Sequence, residues 1–285
     1  MTEIPKPVNN ILTLIDKALE SKESLPRPHL GASIVGGPCE RAVWYSFRWA
    51  TIEKFSGRML RLFARGANEE YSVVKLLKDA GIEIEFTGKN QKRVDFGCHV
   101  SGSLDGIITS GVPEAPNKKH VLEIKTHNKK SFDDLEKKGV KEAKPAHYTQ
   151  MQMYMLGTDI DRALYFAVCK DDDRIYTERV RLDKEYAKDE VDRARHIAVA
   201  QHPPYKLSDN PSWFQCKFCP SKEICHFGEG TKNINCRTCH YSVPKEDGSW
   251  FCKQYESTIP LEYQYKGCEQ YVTHNDLVDE KTVPF

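Results

Sequence analysis

No stretch of this chain approaches the about 18 consecutive apolar residues that a membrane-spanning helix needs, and the residues after Met1 lack the basic and apolar segments of a secretion signal. Charge of one sign is missing too. Lys and Arg number 42 against 41 Asp and Glu, a net charge of +1, so a polyanionic partner has to be met by a local basic surface and not by a global field. There are no internal repeats and no low-complexity tracts, which excludes solenoids and linker-dominated chains. These absences lead us to expect a soluble, cytoplasmic protein. That compartment keeps thiols reduced, so the ten cysteines are expected to bind metal and not to form disulfides.

With 285 residues, 39% of them hydrophobic, the chain is long enough for one full core and a smaller appended unit. We read an N-terminal helix and linker over 1–30, a main domain over 31–230, and a Cys-rich tail over 231–285 that is too small to bury a core without crosslinks. Helical spacing of apolar residues marks 9–21, a segment opened by Pro38, and the long stretch from Gly57 to Ala80, with Leu60, Phe63, Val73, Val74 and Leu77 for the core. Trp44, Tyr45, Phe47 and Trp49 recur at a spacing that suits a buried stripe better than a base-stacking platform. Shorter helices are expected from Ser131 to Lys138 and from Tyr148 to Gly157, and a charged one over 184–201, ended by Pro203. Alternation marks strands at 82–86, 92–97, 104–109 and 120–125, which would make an antiparallel meander. The apolar run from Ala163 to Cys169 suits a buried strand paired with 174–182. The expected class is α/β, one mixed sheet flanked by helices, with a Cys-rich metal-binding tail.

The chemistry concentrates between Gly102 and Lys125. Glu123 and Lys125 lie two apart on a strand and share a face, and a neighbouring strand would bring Asp105 beside Glu123. Two carboxylates held close together in a dry place need positive charge between them, and a divalent cation supplies it. Lys118, Lys119, Lys125, Lys129, Lys130, Lys137 and Lys138 form a basic cluster around that strand. The motifs run in a definite order. Arg65, Gly66, Glu69 and Glu70 lie on a preceding helix, then come Gly102 and Asp105, then Glu123, Lys125 and Thr126, then Gln150 and Tyr154 on a following helix.

This succession resembles the PD-(D/E)XK nuclease superfamily, in its RecB-like and phage exonuclease branches. The resemblance covers about residues 33 to 228 and implies a restriction-endonuclease-like mixed sheet. It implies Mg2+ or Mn2+ held by Asp105, Glu123, the carbonyl of Ile124 and Glu70, with Glu69 in reserve as the third acid. Lys125 would orient or help deprotonate the attacking water; its position is assigned here, not its protonation state. Gln150 and Tyr154 would flank the metal and contact the nucleic-acid backbone or the lysine. Thr126, Asn128 and Lys130 are phosphate neighbours by proximity, and His147 reads as a cap or surface residue. The implied activity is metal-dependent DNA cleavage, exonucleolytic on single strands or ends, in recombination, repair or phage DNA processing in a bacterial or phage-infected cell. A structure-specific or nicking endonuclease and a non-catalytic, zinc-dependent nucleic-acid-binding adaptor are the alternatives.

The cysteines fall into two groups of four. Cys39 lies before the catalytic motifs, and Cys216, Cys219 and Cys225 lie after them. That arrangement is similar to the iron-sulfur subset of RecB-like nucleases, which includes CRISPR-adaptation nucleases, and implies a 4Fe-4S cluster. Thiolates suit Zn2+ as well, and His226 is an alternative fourth ligand to Cys39. Cys236, Cys239, Cys252 and Cys268 read as a structural Zn2+ site, with Trp250, Phe251, Tyr263 and Tyr265 packed round it. Cys98 and Cys169 fall on expected strands and read as small buried apolar residues.

Overall fold

The computed structural model describes residues 10–22 and 25–279. The chain opens with α1 (Asn10–Glu20), β1 (Leu30–Gly31), α2 (Ala32–Val35), α3 (Glu40–Phe47) and α4 (Gly57–Asp79). Next come β2 (Glu83–Glu85), β3 (Arg93–Gly97), β4 (Val100–Ser103), β5 (Gly106–Ser110) and β6 (His120–His127), then α5 (Lys129–Ala143) and α6 (Pro145–Thr158). They are followed by β7 (Arg162–Cys169), β8 (Ile175–Arg181) and α7 (Lys184–Val199). Short pieces complete the chain: α8 (Phe214–Lys217), α9 (Lys222–Phe227), β9 (Ser242–Pro244), β10 (Trp250–Cys252), β11 (Ser257–Thr258) and α10 (Leu261–Gln264).

Local chemistry sets the helix starts. Ser56, Asn128 and Asp183 cap α4, α5 and α7, each accepting a backbone N–H of the first turn, and Pro145 occupies the first turn of α6. Pro38, by contrast, lies ahead of the N-cap residue Cys39 and so outside α3. The regular part of α5 stops at Lys138, as expected, because Gly139 takes φ 74° and kinks the chain before one more turn.

The main sheet has five strands in the order β2-β5-β6-β7-β8, with β6 and β7 parallel and the other pairs antiparallel. The expected single meander does not form, because β3 pairs with β4 in a separate three-stranded sheet with β1. A two-residue strand such as β1 carries no periodicity to read. The turn that reverses β3 into β4 places Cys98 and His99 at positive φ (48° and 68°), so Cys98 is a half-buried turn residue and not a strand residue. Cys169 is buried at the end of β7.

Helices cover both faces of the main sheet. Val73, Val74 and Leu77 of α4 pack on Leu122, Ile124, Leu164 and Phe166, while Phe132, Leu135, Met151 and Ala194 of α5, α6 and α7 pack on the other face. Phe63 is not in the core; it is exposed and meets Phe55 edge-on, with ring centroids 4.9 Å apart. Trp44, Tyr45, Phe47 and Trp49 are buried.

The Cys-rich tail is inserted into the same core. Trp250, Ile259 and Leu277 belong to the buried cluster that contains Trp44 and Phe47. Arg237, 1% exposed, donates to the carbonyls of Pro28 (2.8 Å) and Phe47 (3.1 Å) and to Gln264 Oε1 (3.0 Å). Its guanidinium lies 3.8 Å from the Trp49 ring centroid, with Phe47 and Trp250 on other sides. Tyr265 stacks on Trp49, so Trp250 and Tyr265 pack against the body, and Tyr263 is exposed. Trp250→Ala is expected to cost about 3–5 kcal/mol and to lower the urea midpoint of the whole chain in one transition. A separate early transition of the tail, with the rest unchanged, would contradict this.

Candidate active site

Where β5 begins, the ladder to β6 runs out: Gly106 pairs with Leu122, and no strand residue lies opposite Ile124 on that side. The backbone N–H of Ile124 donates instead to Asp105 Oδ2, at 2.7 Å. Asp105 stands in the crossover that carries the chain from β4 of the small sheet into β5 of the large one. Its carboxylate completes the ladder with a side chain and is thereby held beside β6.

Alternation along β6 sends Leu122 and Ile124 toward α4, and Glu123 and Lys125 toward α6. Glu123 has no exposed surface. Its Oε1 pairs with Lys125 Nζ, which lies 4.0 Å from Asp105 Oδ2 and 3.3 Å from the Ile124 carbonyl. The second oxygen, Oε2, is buried with no partner among the described residues. Of the two helix glutamates, Glu70 is the one whose charge acts on Asp105, Glu123 and Lys125, and Gln91 Nε2 holds its Oε1 at 2.7 Å.

The electrostatics follow from three acids facing one ammonium. Burial pushes Glu123 up to about 7; Lys125 opposes the shift and Asp105 and Glu70 add to it. Burial also raises Asp105, against Lys125 and the Ile124 N–H, and raises Glu70, with Asp105 adding. Burial works against the Lys125 ammonium, yet Glu123, Asp105 and Glu70 outweigh it and hold the lysine above its ordinary value.

On α6, Gln150 and Tyr154 are buried, and Gln150 Nε2 lies 3.5 Å from the Tyr154 hydroxyl. That hydroxyl donates to the carbonyl of Ser103 (2.9 Å), the last residue of β4, so Tyr154 ties α6 to the segment that carries Asp105. Gly102 allows the approach: a Cβ there would meet Tyr154 Cε1 at 2.9 Å and the Ala32 side chain at 3.1 Å. Arg65 is turned away and donates to the Lys170 carbonyl (2.8 Å). Thr126 takes the α4 face by alternation, the Asn128 side chain caps α5, and Lys130 is exposed.

Sequence reasoning missed Gln91, His127 and Tyr165 and placed His147 at the surface. In the structure His147 is half-buried, 2.9 Å from the Tyr165 hydroxyl, and burial, aided by Lys125, lowers it to about 3. The signal for His127 was present, since it lies two residues after Lys125 and shares its face.

Cys39, Cys216, Cys219 and Cys225 line one cavity of about 440 Å3 together with His226, and Cys236, Cys239, Cys252 and Cys268 line another of about 350 Å3. All ten thiols are free. Among the described residues, no three His, Cys, Asp or Glu side chains converge closely enough in this arrangement to hold an ion.

A mixed sheet of this topology, clasped between helices and carrying Asp105, Glu123 and Lys125 at one end, defines a class. The PD-(D/E)XK nuclease superfamily model matches residues 5–226, and the chain belongs to that superfamily. No curated protein matches it. Among solved structures it is similar to SSO0001 (18% identity over 75% of this chain and 96% of that one, TM-score 0.47). It is also similar to the alkaline exonuclease LHK-Exo from Laribacter hongkongensis (17% identity, 65% and 90%, TM-score 0.41) and to LHK-Exo in complex with dAMP (15%, 60% and 86%, TM-score 0.42).

The pKa of Glu123 makes a testable statement about stability. An acid whose folded value, about 7, exceeds its ordinary 4.5 binds its proton more tightly when folded. Stability from this group is therefore lost as pH rises through that window. In EDTA, Glu123→Gln is expected to gain on the wild type in unfolding free energy between about pH 5 and about pH 8, as measured by urea titration. A difference that stays constant with pH would refute the assignment.

Proposed function

We propose that the protein is a metal-dependent deoxyribonuclease, an exonuclease acting on single-stranded DNA or DNA ends in recombination, repair or phage DNA processing. One observation carries the reading: a fully buried Glu123, one oxygen on Lys125 and the other without a partner among the described residues, with Asp105 and Glu70 acting on it and only Lys125 to offset them. Membership of a nuclease superfamily supports it.

The donor set fits a hard cation by its chemistry, and the side chains would have to draw together from the present arrangement to hold one. Asp105, Glu123, the Ile124 carbonyl and Glu70 offer oxygen ligands, as Mg2+ and Mn2+ prefer. Bound there, such an ion would supply phosphate charge neutralisation and a more acidic water. The protein's own part is positional. Glu123 and the Ile124 carbonyl hold the Lys125 ammonium toward the acids, where it orients the attacking water. Tyr154, anchored on Ser103, and Gln150, donating to Tyr154, fix the crossover and hence Asp105. Thr126, Asn128 and Lys130 are proposed as outer contacts to the nucleic-acid backbone.

Each cysteine foursome shares a cavity, which supports two further metal sites. We assign a 4Fe-4S cluster to Cys39, Cys216, Cys219 and Cys225 and Zn2+ to Cys236, Cys239, Cys252 and Cys268. Burial raises the thiols of Cys219, Cys225 and Cys236, and neighbouring cysteines of the same foursome raise them further, so a metal bound there would have to displace their protons. Cys39 would pin the start of α3 to the segment beyond α7. On this reading 1–30 is an N-terminal helix and linker, 31–230 the nuclease domain closed by the cluster, and 231–285 the zinc-binding tail.

Asp105→Asn, Glu123→Gln and Lys125→Met are each expected to reduce Mn2+-dependent degradation of linear single strands by at least about a hundredfold with wild-type circular dichroism, and covalently closed circles are expected to survive. Undiminished cleavage by a folded variant removes the site, and cut circles select an endonuclease. Anaerobically purified protein is expected to be brown, to carry iron and sulfide besides one zinc, and to lose its colour in Cys216→Ser. A colourless protein with two zinc ions would replace the cluster by zinc.

A further inference from the structure

A buried hydrogen-bonded chain runs beside the acidic cluster. Tyr165 on β7 stands level with Glu123 in the parallel register, and its hydroxyl lies 2.9 Å from His127 Nε2 and 2.9 Å from His147 Nδ1. His127, buried, follows Lys125 on the same face of β6, and its Nδ1 lies 3.2 Å from Ser131 Oγ. His147 stands in the first turn of α6, half-buried, and its Nε2 has no protein partner among the described residues.

A phenol carries one proton, so Tyr165 donates to one imidazole and accepts from the other. The chain therefore has two polarities. In the first, Ser131 donates to His127 Nδ1, His127 Nε2–H donates to Tyr165, and Tyr165 donates to His147 Nδ1, which leaves His147 Nε2–H as a donor at the open end. In the second, every bond is reversed and the open end presents a lone pair. The charged side chains acting on the two imidazoles are Lys125, Lys144 and Lys170, all cations. Glu123 and Glu178 act on Tyr165 between them, so the two polarities are set by what the open end meets, and an anion there selects the donor polarity.

We propose that His147 Nε2–H binds a backbone phosphate of the nucleic-acid strand, next to the one being cleaved, with Tyr165, His127 and Ser131 as positioning residues that set its tautomer. The proposal rests on the nuclease reading and adds a contact to the same site. It gives a use to a half-buried histidine whose Nδ1 is engaged by Tyr165.

Binding is tested with the full chain in EDTA, where it is separated from hydrolysis, by fluorescence anisotropy of a labelled oligothymidine. His147→Ala is expected to raise Kd about tenfold and Tyr165→Phe to raise it less; in Mn2+ the same variants raise KM more than they lower kcat. On wild-type protein, 15N NMR of the imidazoles is expected to show His147 passing to the Nε2–H tautomer when oligothymidine is added, and not in Tyr165→Phe. An unchanged Kd in folded His147→Ala, or a tautomer indifferent to the oligonucleotide, overturns the proposal, and the NMR result decides it if the variants fail to fold. If Asp105→Asn abolishes cleavage while His147→Ala keeps wild-type Kd and KM, this inference alone fails. If the wild type binds as expected but cleaves nothing with either metal, the nuclease reading fails.

Discussion

The site depends on one hydrogen bond, from the Ile124 N–H to the carboxylate of Asp105. A central strand with both edges in use has no free backbone donor, but β6 outruns β5 by enough to leave one. An unpaired buried N–H is costly, and the crossover from the small sheet supplies an acceptor at that point. One interaction thus closes the ladder, joins the two sheets and fixes an acid beside Glu123. Asn could make the bond but would not bring the charge.

That charge is what the surroundings are built to tolerate. Three carboxylates face one ammonium, and all three acids are pushed upward while the lysine is held charged. The hydroxyls of Tyr154 and Tyr165 are raised too, first by burial and then by Glu123, and so stay neutral donors. Burial thus pushes every carboxyl of the site toward its neutral form, and Glu123 is carried up to about 7.

Much of this was legible before any coordinates. The alternation of Glu123 and Lys125, the long helix bearing Glu70 and the apolar run of β7 each depend on local periodicity, and each element forms. What periodicity cannot report is pairing between distant pieces. The two-residue β1 that makes β3 and β4 a separate sheet has no pattern of its own. Phe63 has the spacing of a core residue, but α1 and α4 leave it facing outward. His147 looks like a surface residue until Tyr165 arrives on β7, and Gln91 is an ordinary loop residue until its amide meets Glu70.

Net charge was the least informative number in the sequence, and the interior explains why. Arg48 and Arg237 are both 1% exposed, surrounded by aromatic rings and carbonyls, and burial pushes them down to about 10 and about 9. Their job is to lock the tail to the first helices, and they add little to the field outside. Lys125 is likewise committed to the acids. Lys144 acts on the imidazoles of both His127 and His147, and Lys170 on that of His127, and both help to keep them neutral. A chain with almost equal numbers of acids and bases therefore says little through its net charge about any one region, because the placement of a handful of side chains, and not their sum, decides the local field.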